Sequence, residues 1–557
     1  MSRFTGWLWL IPLIVYLLVS LYQLNLPGLH YDEAFEAVPA LQLLSGQPVT
    51  TFRHHGLSIA GHTFPLMTQD YIGAINTYFS IPFIALWGTT PIALRIMTII
   101  LGGITLWLAY VITLCFTKTY WVGWVVLLIL MVDPTFVFWN RQGIFVTSVT
   151  APIGLAATLC WFLYFQKRSI KWAIAGAFLL GLGLYAKFLF IWLIIALTGA
   201  AVLLNLPEIM PIFTSSQKTE RYSLPSSRGV ALVLLAFLLG CLPLVIYNAQ
   251  TGGTYLSITE NAETSYYGVD NLAFSSNLVT RITQFGAMLN GSHLWYLGEI
   301  WSTSLPVSVL VVFLVFVVLM ATRNFLFKKN KTKTLIPSLK IVLFPYFVIG
   351  IVILTSIGTV SALWVTHYAL LMPWPALALA LTGWLLVKMI PHRMVVASLA
   401  TVLLLLIGNY TLNTARYHQS LSQSGGLSTH SDAIYRLSNW LNANTDGPVA
   451  AMDWGLAAPV IYLTAGQVEP VEVFGYAWES NRALTARLET LIAQPATLYL
   501  WRAPDEVIFD RSDEFKTLYR PLNLEENIEE AFYERSGRPL LGITRLVTTG
   551  TADNAPK

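Results

Sequence analysis

Apolar runs near the length that crosses about 30 Å of hydrocarbon, roughly 20 residues, recur through the first three quarters of the chain. They lie at 7–24, 96–116, 120–139, 144–165, 172–186, 188–206, 229–249, 305–321, 341–360, 369–387 and 394–411, which predicts eleven membrane-spanning helices. A further stretch, "YIGAINTYFSIPFIALWGTT" at 71–90, is uncharged but carries Asn76, Thr77, Tyr78, Ser80, Pro82 and Gly88. It reads as a partly amphipathic helix lying flat in the outer interface. After residue 411 the pattern changes. "SDAIYRLSNWLNAN" and "ALTARLETLIAQ" have a helical period, while "GPVAAMDWG" and "ATLYLWRAP" read as short strands. Residues 412–557 are therefore expected to form a small α/β domain, and residues 1–411 a helical membrane domain.

Composition agrees with that division. The chain is 55% hydrophobic and 11% charged, against about a quarter charged in soluble proteins. This implies an all-α polytopic membrane bundle with a soluble appendage. Residues 1–411 hold 21 Lys+Arg and 11 Asp+Glu, whereas 412–557 hold 12 and 18. Basic residues gather on the cytoplasmic side of membrane proteins. With the N-terminus inside and 71–90 not crossing, sixteen of the 21 fall on cytoplasmic segments, including Arg3, Lys218, Arg221 and the run "RNFLFKKNKTK". Arg53, Arg95, Arg141, Lys187 and Arg281 then face outward, and so does the C-terminal domain. If 71–90 crossed, every later loop would invert and the basic run would be translocated. The first segment lacks an A-x-A-like cleavage site and is read as a retained span. Cys115, Cys160 and Cys241 fall in apolar segments and suggest neither a disulfide nor a metal framework.

Three of the outward basic residues, Arg95, Arg141 and Lys187, sit at the lip of a span. Each either snorkels to water or helps to bind an anionic lipid head group. Just after the first span, "LPGLHYDEAFEAV" places Asp32 and Glu33 at the outer surface. One reading makes them general-base chemistry at the interface; the other makes them the N-terminal cap of the helix "AFEAVPALQLLSG". The same loop holds His30, His54, His55, His62 and Asp70. The adjacent His54 and His55 diverge in an extended chain and no Cys joins them, which favours a substrate-lining loop over a divalent metal site, so no cofactor is assigned. Asp453, in "MDWG", reads as a turn residue ahead of a ligand group. Charge within the spans is almost absent apart from Asp133, which favours surface chemistry over transport. No Gly-rich phosphate loop or nucleophile elbow is present, and topology accounts for the basic run, so no nucleic acid partner is expected.

"LHYDEAFEA" resembles the Asp-Glu motif in the first outer loop of the protein O-mannosyltransferase and aminoarabinose transferase superfamily, membrane glycosyltransferases of the GT-C class. "ALWGTTPIALRIMTIILGGITLWLAYVI", "DPTFVFWNRQGIFVTS", "GLGLYAKF" and "THYALLMPWPALAL" resemble later segments of that family in the same order, over about residues 1–411. The resemblance implies inverting transfer of a sugar from a polyprenyl-phosphate carrier to a protein, lipid or glycan acceptor at the outer face of a prokaryotic cell membrane. It implies Asp32 as base, Glu33 as a second acidic or acceptor-orienting group, and Arg95, with Arg141, Lys187 and His367, as ligands of the carrier phosphate. Tyr368 joins the histidines and Asp70 as a substrate-lining candidate. The family's protein mannosyltransferases carry an extra domain in a middle loop. Here the loop at 250–304 is short and the extra domain is C-terminal, which leaves the acceptor open. A lipid-linked sugar transporter or binding protein without chemistry is the alternative.

Overall fold

The computed structural model describes residues 8–142, 149–214, 226–326, 335–473 and 481–549. The start of the span predicted from 144, and the basic residues Arg3, Lys218, Arg221, Lys328, Lys329, Lys331 and Lys333, lie outside the described residues.

The membrane domain begins with α1 (Leu10–Leu21) and α2 (Tyr31–Ser45), then two small hairpins, β1 (Gly56–Ile59) with β2 (His62–Pro65) and β3 (Met67–Gln69) with β4 (Ile72–Gly73). Helices α3 (Ile75–Trp87), α4 (Pro91–Thr117), α5 (Tyr120–Leu130), α6 (Pro134–Gln142), α7 (Thr150–Lys167), α8 (Ile170–Ala186) and α9 (Ile191–Thr214) follow. After them come α10 (Ser227–Gly240), α11 (Leu242–Thr251), α12 (Gly253–Glu260), α13 (Phe274–Asn290), α14 (Leu305–Leu326), α15 (Leu335–Thr355), α16 (Pro373–Met389) and α17 (Arg393–Ser424). Helix α4 runs through the middle, packed on α1, α3, α5, α6, α7 and α16. Gly102 permits this closeness: a Cβ there would fall 2.0 Å from the Tyr16 hydroxyl.

Among the described residues, five helices are long and apolar enough to cross a membrane, and three bent pairs raise the number to as many as eight. The pairs are α5 with α6 (bent 66°), α10 with α11 (65°), and the 3-10 turn Val365–Leu371 with α16 (48°). Each was predicted as one unbroken span. A proline stands at or next to the start of each second helix, Pro134, Pro243 and Pro373. Its missing N–H and fixed φ suit a helix start and break the ladder of the helix before it. The remaining predicted spans correspond to α1 and α8, which are shorter, and to α7, whose 18 residues are not among those five helices.

Helix α3, the segment expected to lie flat, has 13 residues and so reaches about 20 Å, short of the hydrocarbon thickness. Its polar Asn76, Thr77 and Ser80 are buried against the protein, while Phe79, Leu86 and Trp87 are exposed. The loop at 250–304 is not irregular: α13 buries Asn277, Arg281 and Phe285 and exposes Val279 and Ile282.

Helix α17 does not stop at residue 412. Its 32 residues extend about 48 Å, longer than the hydrocarbon core of a bilayer, before the tail folds. There α18 (Ala433–Asn444), α19 (Ala457–Leu463), α20 (Asn481–Ile492) and α21 (Ser512–Tyr519) pack with a sheet of β5 (Val449–Ala451), β6 (Val471–Glu472), β7 (Leu498–Arg502), β8 (Leu524–Tyr533) and β9 (Pro539–Thr548). The strand order is β6-β5-β7-β9-β8, parallel from β6 to β7 and antiparallel beyond. The β8–β9 hairpin was not predicted. Strand β8 is an edge strand carrying Glu525, Glu526, Glu529 and Glu530, a charge content that discourages edge pairing and hides the strand's alternation.

The tail is seated on the start of α2. The Gly28 N–H donates to the His430 carbonyl (2.7 Å), and a Cβ at Gly28 would fall 2.0 Å from the Ser431 carbonyl oxygen. The Tyr435 hydroxyl donates to the Asn25 carbonyl (2.8 Å), and the Tyr462 hydroxyl to the Thr90 carbonyl (3.2 Å).

Candidate active site

The adjacent carboxylates of "HYDE" have separate fates. The cap of α2 is His30, whose Nδ1 accepts the Asp32 N–H (3.2 Å), while the His30 N–H donates to Glu33 Oε1 (3.3 Å). Glu33 thus closes a reciprocal cap and is fully buried. Its two oxygens also receive Arg95, Nε to Oε2 and Nη2 to Oε1, each at 3.1 Å. The other Arg95 donors go to the carbonyls of Leu24 (2.9 Å), Pro27 (2.9 Å) and Gly28 (3.3 Å).

Two sequence expectations are corrected here. Arg95 has no exposed surface and all five N–H groups are engaged, so nothing remains for a lipid phosphate. Glu33 has no face left for an acceptor. The pair exists because a buried guanidinium is tolerable only when paired and fully hydrogen-bonded. Arg141 is corrected likewise: also fully buried, it donates to the carbonyls of Ser20 (3.2 Å), Tyr22 (2.7 Å), Gln23 (2.7 Å) and Leu26 (3.1 Å). Ser20 stands in the last turn of α1, whose carbonyls lack intrahelical partners, and Tyr22, Gln23 and Leu26 lie in the segment just after it.

Asp32 differs. Its side chain keeps 37% of its surface accessible, and among the described residues its carboxylate accepts no hydrogen bond. Glu36 lies one turn on, on the same helical face. It is buried and accepts Asn76 Nδ2 (2.8 Å). Lys187, between α8 and α9, pairs through its backbone with Ile72 of β4, and the next N–H, from Phe188, donates to the Tyr71 carbonyl (2.8 Å). Among the described residues its ammonium has no hydrogen bond and no ion pair, and its charge acts on both Asp32 and Glu36. Burial pushes the Asp32 carboxyl up to about 6, with Lys187 opposing. Burial raises Glu36 as well, against the Asn76 amide and Lys187 and with the help of Asp32's negative charge. At neutral pH Asp32 is ionised and able to take a proton, while Glu36 is biased toward its neutral form.

Deeper in, Arg281 is held between the rings of Trp192 (5.6 Å) and Tyr368 (5.5 Å) and donates to the Ser356 carbonyl (2.7 Å). His367 Nδ1 lies 3.4 Å from Arg281 Nη2, and the charge of Lys187 reaches His367. Tyr368, expected to line the substrate loop, is fully buried against Arg281, its hydroxyl 3.2 Å from that of Ser356.

Of the other loop candidates only His30 is brought to Asp32, its Nδ1 3.9 Å from Asp32 Oδ2. Asp70 accepts Arg53 Nε and Nη2 at 2.7 Å each and the Tyr247 hydroxyl at 2.6 Å, a structural clamp. His54 and His55 border an open depression of about 480 Å³ together with Thr51, Ser58, Thr63 and Gln250, and His62 is exposed beside the β1–β2 turn. No group of three His, Cys, Asp or Glu side chains suited to a metal occurs among the described residues. His30 is stacked on His430 of the tail, ring centres 4.2 Å apart. Burial and then Arg502 lower its pKa to about 3, so it stays neutral. Asp453 is ion-paired with Arg502 (3.2 Å) and accepts the Phe509 N–H (2.8 Å), which makes it structural. Sequence reasoning missed Glu36, although its four-residue spacing from Asp32 was visible, and it missed Tyr71, Tyr266 and Tyr267, which only the fold places near Asp32.

Among solved structures, ArnT from Cupriavidus metallidurans bound to undecaprenyl phosphate superposes on 97% of this chain and 98% of its own, with TM-score 0.57 and 12% identity. The chain has an ArnT-like fold. ArnT in the apo state matches equally, with TM-score 0.57 and 11% identity over 97% and 98% of the two chains. The apo oligosaccharyltransferase of Archaeoglobus fulgidus reaches TM-score 0.48 at 10% identity, over 90% of this chain and 70% of its own. By sequence alone the chain matches no family model and no curated protein. The ArnT-like alignment runs through the tail, so the C-terminal domain belongs to the shared architecture.

Proposed function

We propose that the chain is an inverting glycosyltransferase moving a sugar from a polyprenyl-phosphate carrier to an acceptor on the extracytoplasmic face. The observation that carries this is the placement, within an ArnT-like fold, of Asp32, whose carboxylate accepts no hydrogen bond among the described residues, within reach of the charge of Lys187, whose ammonium makes no hydrogen bond or ion pair among them. The ArnT structure's bound undecaprenyl phosphate supports a carrier of that kind.

In the proposed step an acceptor hydroxyl attacks the anomeric carbon. The new carbon–oxygen bond forms as the anomeric carbon–phosphate oxygen bond breaks. The bonding pair leaves on the phosphate, and the hydroxyl proton passes to Asp32. Of the basic residues expected at the phosphate, Lys187 keeps that role, stabilising charge on the departing phosphate. Glu36, biased to neutrality, avoids placing a second negative charge beside that phosphate. The proposed topology keeps eleven spans, the N-terminus cytoplasmic, and loop 25–95 and the tail outside, in a prokaryotic cell membrane.

Incubating the purified protein with a polyprenyl-phosphate hexose and following free polyprenyl phosphate tests the reading. Lipid binding without release, across protein, lipid and glycan acceptors, would instead indicate a transporter or binding protein. The donor is taken to be monophosphate-linked; loss of turnover on chelation would point to a metal-dependent, diphosphate-linked donor.

A further inference from the structure

Between α12 and α13 the chain makes a tight turn from Ser265 to Gly268. The Gly268 N–H donates to the Ser265 carbonyl (2.8 Å), the Ser265 N–H to the Val269 carbonyl (2.9 Å), and the Val269 N–H to the Ser265 hydroxyl (2.9 Å). Gly268 has φ +77°, a conformation glycine adopts without strain. Buried Asn271 fastens the turn to a neighbouring segment: its Nδ2 donates to the carbonyls of Asn261 (2.9 Å) and Thr359 (2.8 Å), and its Oδ1 accepts the Thr359 N–H (3.0 Å).

This frame holds two aromatic side chains outward. Tyr266 and Tyr267 occupy the turn's central positions, 36% and 46% exposed, with ring centres 4.6 Å apart. Trp364, 52% exposed on the anchoring side, lies edge-on to Tyr267 at 6.2 Å. The wall continues into the candidate site. The Tyr266 hydroxyl is 2.8 Å from that of Tyr71, and Tyr71 precedes the residue whose backbone pairs with Lys187. After burial, the negative charge of Asp32 is among the influences raising all three phenols, Tyr71, Tyr266 and Tyr267.

Exposed aromatics held on a rigid turn need a partner to explain them. Tyr and Trp offer an apolar face and a polar tip with little side-chain entropy to lose on binding. A sugar ring has the matching shape, a face of C–H bonds and an edge of hydroxyls. We propose that Tyr266, Tyr267 and Trp364 form an acceptor subsite for a carbohydrate ring, whose attacking hydroxyl is thereby presented to Asp32. This rests on the glycosyltransferase reading and deepens it: the acceptor is a glycan and not a peptide. Exposed aromatics also populate the lipid head-group belt, where a sugar would not be needed.

The test uses the full chain in nanodiscs free of glycoside detergent. Saturation-transfer NMR is recorded with methyl β-D-glucopyranoside, methyl α-D-mannopyranoside, cellobiose and a Gly/Ser/Thr hexapeptide. At least one sugar is expected to receive saturation from the wild type, and the peptide none. Tyr267→Ala and Trp364→Ala should lower the sugar's affinity by about fivefold, the scale of one lost ring contact, with melting temperature unchanged, and Tyr267→Phe should restore it. Absence of sugar binding to the wild type, binding unaltered in both alanine variants, or preference for the peptide overturns the subsite. Polyprenyl phosphate release is measured on the same samples. Sugar binding lost as expected in the alanine variants, with no release by the wild type, shows that the transferase reading has failed while the carbohydrate site stands.

Discussion

Asp32 and Glu33 are neighbours in sequence with the same functional group, yet they belong to opposite kinds of region. Glu33 lies in a closed lock, with both oxygens committed to Arg95 and the start of α2 and no accessible surface. Asp32 is partly accessible and within reach of the charge of Lys187, which makes no hydrogen bond or ion pair among the described residues. The difference is one of helical phase. Successive residues point about 100° apart on a helix, so one carboxylate of the pair turns into α4 while the other faces Lys187 and the tyrosine wall. Arg95 and Lys187 divide in the same way. A buried cation saturated with carbonyls and carboxylate holds the fold, whereas an ammonium left unpartnered is available to a ligand.

The largest expected effect comes from breaking the lock. Arg95→Ala or Glu33→Gln leaves an uncompensated buried charge or acceptor set, which should destabilise the protein by about 3–5 kcal/mol. Thermal unfolding should show this, with activity falling only in proportion to folded protein. A Glu33→Gln enzyme that melts like the wild type but has lost turnover would move Glu33 into the chemistry and erase the contrast.

Asp32→Asn is the opposite experiment. Because the cap belongs to His30 and Glu33, melting should be unchanged, while turnover falls by about 100-fold or more for want of a proton acceptor. Wild-type turnover in this variant would remove the catalytic half of the comparison. Lys187→Ala should weaken donor-lipid binding by about tenfold, as expected for one charge-assisted hydrogen bond, with Lys187→Arg restoring part of it. Equilibrium binding of undecaprenyl phosphate measures this, and an equal loss in Arg95 variants that remain folded would contradict the division between the two cations.

The pH dependence sharpens the comparison. Asp32 acts as a base only when deprotonated, and its carboxyl is raised to about 6. Turnover should therefore be flat near neutrality and fall tenfold per pH unit well below 6, a limb absent from the residual activity of Asp32→Asn. The smallest effect is assigned to Glu36→Gln, which mimics the neutral form and should keep turnover within about threefold of wild type.

The amphipathic and apolar periods were enough to mark the membrane domain, most of its helices and the α/β character of the tail, because those patterns follow from local burial against lipid or core. The carboxylate pair was visible in the sequence, but not which of the two closes the helix cap, a part the structure gives to Glu33 with His30. Nor was it visible which cation would meet a phosphate. Arg95, Arg141 and Lys187 all stand at span lips and look alike in one dimension. Only packing shows that two of them end against the carbonyls around α1 and the loop after it, while the third, half-buried beside β4, makes no hydrogen bond or ion pair among the described residues. The tail's part was equally hidden. The His430 ring stacks on the residue that caps α2, and nothing in the 399 positions between them announces that contact. Hydrophobic periodicity reports which face of an element is buried. Saturation of a particular guanidinium depends on where distant carbonyls come to rest, and that is settled only when the helices pack.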